Sequence, residues 1–389
     1  MTDALNPGPI LILGAGAAGM ACALAVAQAG GDVVLAERTE RIGGTLANAL
    51  IHTIGGLYDD SGALINDGLP AELVARLGAA DPRTAPRRMG RVHVLNVDPA
   101  VYRRTVTDWL AEYPRLRCLT RCELVDLRLD GGRIHQVALR HADGELALTP
   151  AAVVDATGDA ALVRRIDPAL VEPGAALAGL VVVLRGLEPD ALAFPKGVAL
   201  TRAIRAAASA GELPNLCATL WPDIGVAPDE AYLKLNLASD AYDAEQMHAL
   251  VDTLVDWLRR LPEFASAHLG DIGILGVRDG GRVRGAYRLT EADLLAGRRF
   301  PDALCQGCWP IEHWHPEQGI ALHYLPPGTR YDIPLRALRL RDHPGLYAVG
   351  KCLSAEPRAQ ASARVAGTCW GMGAGLGAVL ARIGTGCAH

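Results

Sequence analysis

A chain of 389 residues has room for two domains or one large one. Half of its residues are hydrophobic and 21% are charged, as in an ordinary globular protein with a large core, and a net charge of -5 with a pI near 6.1 leaves no footprint for nucleic acid. Nine scattered cysteines, and an N-terminus "MTDALNPGPILIL" without a basic region or a small-residue cleavage site, argue against a disulfide framework and a secretory signal and for a cytoplasmic protein.

Residues 8–13, "GPILIL", read as a buried strand. "AAGMACALAVAQAGG" follows as a helix closed by Gly30-Gly31, and "DVVLAE" as the next strand, so Ile10 to Glu37 form one strand–helix–strand unit of dinucleotide-binding length. The first turn reads Gly14-Ala15-Gly16-Ala17-Ala18-Gly19. Its first glycine permits a tight turn, its second lets backbone approach a pyrophosphate, and its third packs helix on strand, with the helix N-terminus aimed at the phosphates. Glu37 is placed for the adenosine ribose hydroxyls and argues against a 2′-phosphate, hence against NADP. "ERTERIGGTLAN" comes next. Arg41 and the bare backbone of Gly43-Gly44 suit a second grip on a pyrophosphate, which favours FAD over NAD; Arg38 and Thr45 are assigned to the same site.

Residues 98–113 read as an amphipathic helix, and residues 117–150 as strands joined by hairpin signals at Gly131-Gly132 and Asp143-Gly144, with Cys122 assigned to the cofactor side. "AAVVDATG" is a buried strand ending in Ala156-Thr157-Gly158. From about residue 165 the texture changes. "LAGLVVVLRGL" and "EAYLKLNL" read as strands of a second sheet, and "DAEQMHALVDTLVDWLRRLPEF" as a helix ending at Pro262. "LYAVGKCLSA" (346–355) is a further apolar strand with the last helix after it. The expected fold is α/β: a discontinuous Rossmann-like FAD-binding domain (residues 1–165 and 345–389) with an inserted α+β substrate domain (166–344).

The last helix is the ambiguous element. "RVAGTCWGMGAGLGAVLAR" has 17 uncharged residues between Arg364 and Arg382, just enough to reach a membrane span. It holds only two leucines, however, and alternates Gly371, Gly373, Gly375 and Gly377. Close packing against "GAGAAGM" is therefore expected, and no membrane span. Cys305-Gln-Gly-Cys308 has no second CxxC to complete a zinc site and reads as two buried thiols; no metal is expected. His313 and His315, beside Trp309 and Trp314, read as surface, structural or pocket-lining residues.

With these motifs in order, the chain resembles FAD-dependent oxidoreductases of the glutathione-reductase-like superfamily, distantly related to succinate dehydrogenase and fumarate reductase flavoproteins. "VVDATGDA", "GVRDGGRVRGAYRLTEADLLAGRRFPDAL", "YDIPLRAL", "VGKCLSA" and the stretch from Ser362 to Cys369 carry the resemblance over most of the length. Lys351 departs from the family's usual Arg, and Pro357, Ala361, Cys305 and Cys308 depart as well. The resemblance implies that Gly350, Lys351, Arg364, Gly367, Thr368 and Cys369 lie toward the flavin. On residue type, Arg278 or Arg282 would hold a substrate carboxylate, and His52 or Tyr331 would take a proton. The expected activity is hydride transfer from a small molecule, at a carbon bearing nitrogen or oxygen, to flavin N5. No second GxGxxG stands in a strand–helix context, so oxygen, a quinone or a redox partner would take the electrons. The alternative is a non-catalytic electron-transfer subunit of a larger complex.

Overall fold

The computed structural model describes residues 8–175, 177–238, 243–315 and 319–384, so the opening "MTDALNP" lies outside the described residues. The first strands, β1 (Ile10–Leu13) and β2 (Val33–Ala36), are aliphatic and buried along their whole length. They are joined by α1 (Ala17–Gln28), which is buried on nearly every side. A helix that is apolar all round must be covered all round.

After β2 come the short helix α2 (Gly44–Asn48) and a three-stranded antiparallel sheet made of β3 (Thr53–Gly55), β4 (Ala85–Met89) and β5 (Val92–Asn96). Two strands further on, β6 (Leu116–Leu119) and β7 (Ala152–Asp155), join the first sheet. The second half begins with β8 (Leu177–Arg185), α3 (Lys196–Ser209), β9 (Trp221–Ile224), β10 (Glu230–Ala238) and α4 (Ala244–Leu258). Next are β11 (His268–Ile272), β12 (Gly276–Val277), β13 (Ile311–His315) and β14 (Gly319–His323). The strand β15 (Leu346–Ala348) and the helix α5 (Ala366–Gly384) close the chain.

The first sheet is parallel, in the order β15-β7-β1-β2-β6. Its register brings Ala348, Asp155, Leu13, Ala36 and Leu119 to one edge. Ile10 and Ile12 pack toward the helices, and Leu11 and Leu13 toward the antiparallel hairpins of residues 123–148. The fold is thus α/β, with a parallel sheet built from both ends of the chain. The second sheet runs β9-β10-β8-β11, with β12 also on β8. Ala231, Leu233, Leu235 and Leu237 of β10 lie in one core with residues of α3 and α4. Tyr232 of β10, with Val181 and Val183 of β8, instead packs against Leu50 and Ile51 at the exit of α2.

Three expected elements differ in detail. Residues 116–119 pair with β2 and are not part of the hairpins. The apolar run 346–355 is a strand only to Ala348, because Gly350 (φ +78°) turns the chain into a 3-10 turn. A separate short helix, Pro357–Ala363, precedes α5.

The alternating glycines of α5 resolve into two contacts. A Cβ on Gly373 would lie 2.1 Å from the carbonyl oxygen of Ala18, and one on Gly377 2.5 Å from that of Cys22, so this pair faces α1. A Cβ on Gly375 would lie 2.5 Å from the carbonyl oxygen of Leu304, and one on Gly371 3.1 Å from Asn66 and Cys305. The helix is enclosed on both sides, and no described helix is long and apolar enough to cross a membrane.

Candidate active site

The C-terminal edge of the parallel sheet is where ligands of open α/β sheets bind. Three loops meet there backbone to backbone. Gly14 (φ +106°) has room only for hydrogen, since a Cβ would lie 2.4 Å from the Ala156 carbonyl oxygen. A Cβ on Gly44 (φ +55°) would lie 2.8 Å from the Gly16 Cα. Gly16 itself faces open space, its nearest neighbour standing 4.0 Å from a Cβ position. It is also the N-cap of α1 and has no side chain to satisfy the N–H groups of Ala17, Ala18 and Gly19. Open space, free donors and the positive end of a helix suit a dinucleotide diphosphate.

The neighbouring side chains complete this edge. The Glu37 carboxylate is buried; it accepts from the Ala15 N–H at 2.9 Å and from the Thr39 N–H and hydroxyl at 2.9 and 2.8 Å. It is therefore held at the mouth of the glycine turn. Arg38 reaches across to Asp159 at 3.6 Å, and the Arg41 side chain is exposed beside Gly43 (φ +107°). The Thr45 carbonyl anchors the N–H groups of Ala49 and Ile51. Cys122 contributes its N–H to the Glu37 carbonyl at 2.9 Å, while burial pushes its thiol up. On the other flank, Lys351 donates to the Val277 carbonyl at 2.7 Å and its aliphatic chain lies against Gly158; burial lowers its pKa. Asp155, below Thr157, accepts from the Thr157 hydroxyl at 2.6 Å. Glu37→Ala should weaken dinucleotide binding by about 1.5–3 kcal/mol, the cost of losing hydrogen bonds to a charged group. Titration of the apoprotein with the cofactor would measure it.

The second sheet presents a polar face toward the exit of α2. On β10, Tyr232, Lys234 and Asn236 alternate with the leucines and share that face. Lys234 donates to Asp223 at 3.0 Å and lies 3.5 Å from the Thr53 hydroxyl. Asp223 also accepts from Arg87 at 2.8 Å. Burial alone would raise the Asp223 carboxyl, but Lys234 and Arg87 hold it well below the usual range. Asn236 is 1% exposed, and neither atom of its amide has a partner among the described residues.

Opposite Asn236 in register is Gly179. A Cβ there would lie 2.8 Å from Arg278 Nη2, so the guanidinium covers the sheet just where a side chain is missing. Arg278 stacks on Trp314, 4.4 Å from the ring centre, and its Nη1 is buried without a partner among the described residues. Burial, and then the nearby Arg364, push its pKa down to about 9. Its main chain is fixed too, with the carbonyl accepting from Gln360 at 3.2 Å. Trp314 is oriented by Glu312, which accepts from the indoles of Trp314 at 2.6 Å and Trp309 at 3.0 Å, with Arg364 3.6 Å away. Burial would raise the Glu312 carboxyl; Arg364 and the indoles hold it down.

The expected catalytic residues separate. Arg278 has an unspent guanidinium. Arg282, four residues on, is committed to Asp279 at 3.1 Å, Glu172 at 3.2 Å and the carbonyls of Pro173 and Ala355, so it ties strands together. Tyr331 is fully buried and bonded to the Ser362 hydroxyl at 2.7 Å. His52 is fully buried and stacks on Tyr232 with ring centres 3.7 Å apart. A carbonyl only accepts, so its contact with the Ile224 carbonyl at 3.0 Å puts the proton on Nε2; burial keeps the imidazole neutral. Tyr232 and Asn236 are four residues apart on one strand, about 13 Å. The structure does not bring His52 and Arg278 together.

Gly350 (φ +78°) abuts the Ala18 methyl, and the Cys369 thiol donates to the Arg364 carbonyl. The first turn of α5 packs on the β3 exit: a Cβ on Gly367 would lie 2.6 Å from the Leu57 nitrogen, and the Thr368 hydroxyl is buried without a partner among the described residues. Cys305 and Cys308 are free thiols; among the described residues no group of His, Cys, Asp or Glu is arranged to hold a metal ion. Asn236, Lys234, Asp223 and Glu312 were not expected from sequence. The one signal was Tyr232, Lys234 and Asn236 at alternate positions of an otherwise apolar strand.

A family model described as FAD dependent oxidoreductase matches residues 9–172 and 187–385. No curated protein matches the sequence. Among solved structures, a geranylgeranyl bacteriochlorophyll reductase-like protein from Thermoplasma acidophilum is similar over 98% of this chain and 78% of its own, at 10% identity and a TM-score of 0.47. The flavin-dependent brominase Bmp2 is similar over 98% of this chain and 79% of its own, at 13% identity and a TM-score of 0.47. The OxyS anhydrotetracycline hydroxylase from Streptomyces rimosus matches 72% of this chain at 12% identity and a TM-score of 0.44; the chain spans 54% of its length.

Proposed function

Because the chain belongs to the family of FAD-dependent oxidoreductases, we propose that it oxidises a small, carboxylate-bearing molecule at a carbon that carries nitrogen or oxygen. FAD, when bound, supplies the chemistry, taking up the hydride at flavin N5. The residues that fit FAD are those of the sheet edge. The N–H groups after Gly16 and the bare backbone at Gly43-Gly44 would hold the diphosphate, and Glu37 the ribose. Within the family we place the chain in the glutathione-reductase-like lineage distantly related to succinate dehydrogenase and fumarate reductase flavoproteins. The order Gly14-Gly16-Gly19, Glu37, Gly43-Gly44 supports that placement. The domain bounds at residues 165 and 344, and oxygen, a quinone or a redox partner as acceptor, belong to the same proposal.

One observation carries the substrate reading: the buried Arg278 guanidinium with an unpaired Nη1. A buried donor left unsatisfied costs about 1–3 kcal/mol, more for a charged group, and a carboxylate removes that cost. Trp314 holds the guanidinium and the Gln360 bond holds the Arg278 main chain, so little ordering is needed on binding. The test is Arg278→Lys. Lysine keeps the charge but loses the planar fork. The FAD spectrum should be retained and KM should rise about tenfold or more, with kcat changing less. A variant that loses FAD or precipitates would make Arg278 structural instead.

A further inference from the structure

The buried face beside Arg278 holds a second unspent group. Asn236 is 1% exposed, and its amide offers a nitrogen with two N–H donors and an acceptor oxygen, both atoms unpaired among the described residues. Its place on β10 is directly opposite Gly179, the residue that the Arg278 guanidinium covers. Directly opposed residues of an antiparallel pair have Cβ positions about 4.5–5.5 Å apart, so amide and guanidinium address the same small volume. The glycine at the opposed position is what lets the guanidinium lie over the sheet beside the amide.

The charges around this volume select among ligands. Arg278 and Arg364 bring two positive charges against the one carboxylate of Glu312, and Lys234 stands two residues from Asn236 on the same strand face. A single carboxylate reduces that excess. A zwitterion would bring an ammonium back into it. An ammonium also has no lone pair for the Asn236 N–H, whereas a hydroxyl both donates and accepts.

We propose that Asn236 and Arg278 form a recognition subsite for a 2-hydroxycarboxylate. The guanidinium takes the carboxylate. The Asn236 carbonyl accepts from the 2-hydroxyl, and its N–H donates to a carboxylate or hydroxyl oxygen. This rests on the reading of Arg278 as the carboxylate anchor and adds the choice of the group beside it. Asn236 is then the specificity-determining residue, because a site with buried polar groups rejects the analogue that leaves them unpaired.

The experiment is calorimetric binding to the FAD-loaded protein with propionate, both enantiomers of lactate and both enantiomers of alanine. One lactate enantiomer should bind at least about tenfold tighter than propionate and than either alanine, the effect of about one buried hydrogen bond. Asn236→Leu, of the same branched shape without polar atoms, should bring lactate to within about twofold of propionate. Retention of the full lactate preference in Asn236→Leu, or its absence in the unsubstituted protein, overturns the proposal. Should Asn236→Leu lose FAD, Asn236→Ser, too short to reach, must show the same loss of preference. The anchor reading fails differently: propionate then binds equally to the unsubstituted protein and to Arg278→Lys, or no carboxylate binds at all, which overturns both.

Discussion

Gly373→Ala should yield a protein that neither folds stably nor retains FAD. The added Cβ would lie 2.1 Å from the Ala18 carbonyl oxygen and 2.9 Å from the Ala21 methyl. The first contact is with backbone in the first turn of α1, so no side-chain rotation relieves it. The helices must separate, and overpacking of this kind costs about 1–3 kcal/mol or more, a large part of a typical net stability. Because Ala18 belongs to the turn that begins at Gly16, the separation also moves the N–H groups proposed for the diphosphate. Thermal unfolding and the FAD absorbance of the purified protein measure both effects. Gly78→Ala is the control. Gly78 lies in the helix Leu69–Ala80 with nothing within 4 Å of a Cβ, so alanine there should be neutral or stabilise by up to about 1 kcal/mol. A Gly373→Ala protein as stable as Gly78→Ala would refute the close approach of the two helices.

Asp223→Asn should be nearly as damaging, and its effect should depend on pH. Asp223 is 6% exposed and stands between Lys234 and Arg87, at 3.0 and 2.8 Å. Removing its charge leaves two largely buried cations without a counter-charge, which costs about 3–5 kcal/mol. The carboxyl is held well below its usual range, so it releases its proton more readily folded than unfolded. Its contribution is therefore fully present above the unfolded value of about 4 and is lost as pH falls below that toward the folded value. The difference in unfolding free energy between the unsubstituted protein and Asp223→Asn should be flat from pH 5 to 7 and shrink as the pH is lowered below about 4. Denaturant unfolding across that range gives the curve. A difference that grows on acidification would mean that Asp223 is not held as the anion.

Much of the cofactor end was legible in the sequence because its determinants are local. Gly14, Gly16, Gly19 and Glu37 lie within one strand–helix–strand unit, where spacing alone sets which groups meet, and the structure places the Glu37 carboxylate on the Ala15 N–H. The run from Arg364 to Arg382 was legible only in part. Its glycines announced a close approach to the first helix, which Gly373 makes at Ala18 and Gly377 at Cys22, while the second contact, of Gly375 with Leu304, depended on the fold.

The polar face beside Arg278 was decided by tertiary structure. Arg278 and Arg282 are the same residue type four positions apart. Only their surroundings divide them: Arg282 is neutralised by Asp279 and Glu172, and Arg278 lies on Trp314 with a nitrogen to spare. Asn236 joins Arg278 through strand pairing with Gly179, a contact between three segments that no local pattern encodes. Strand alternation tells which residues share a face but not what that face meets. The chain's own order therefore specified the glycine turn and the parallel sheet, while burial and pairing across the fold determined which polar groups were left unsatisfied for a ligand.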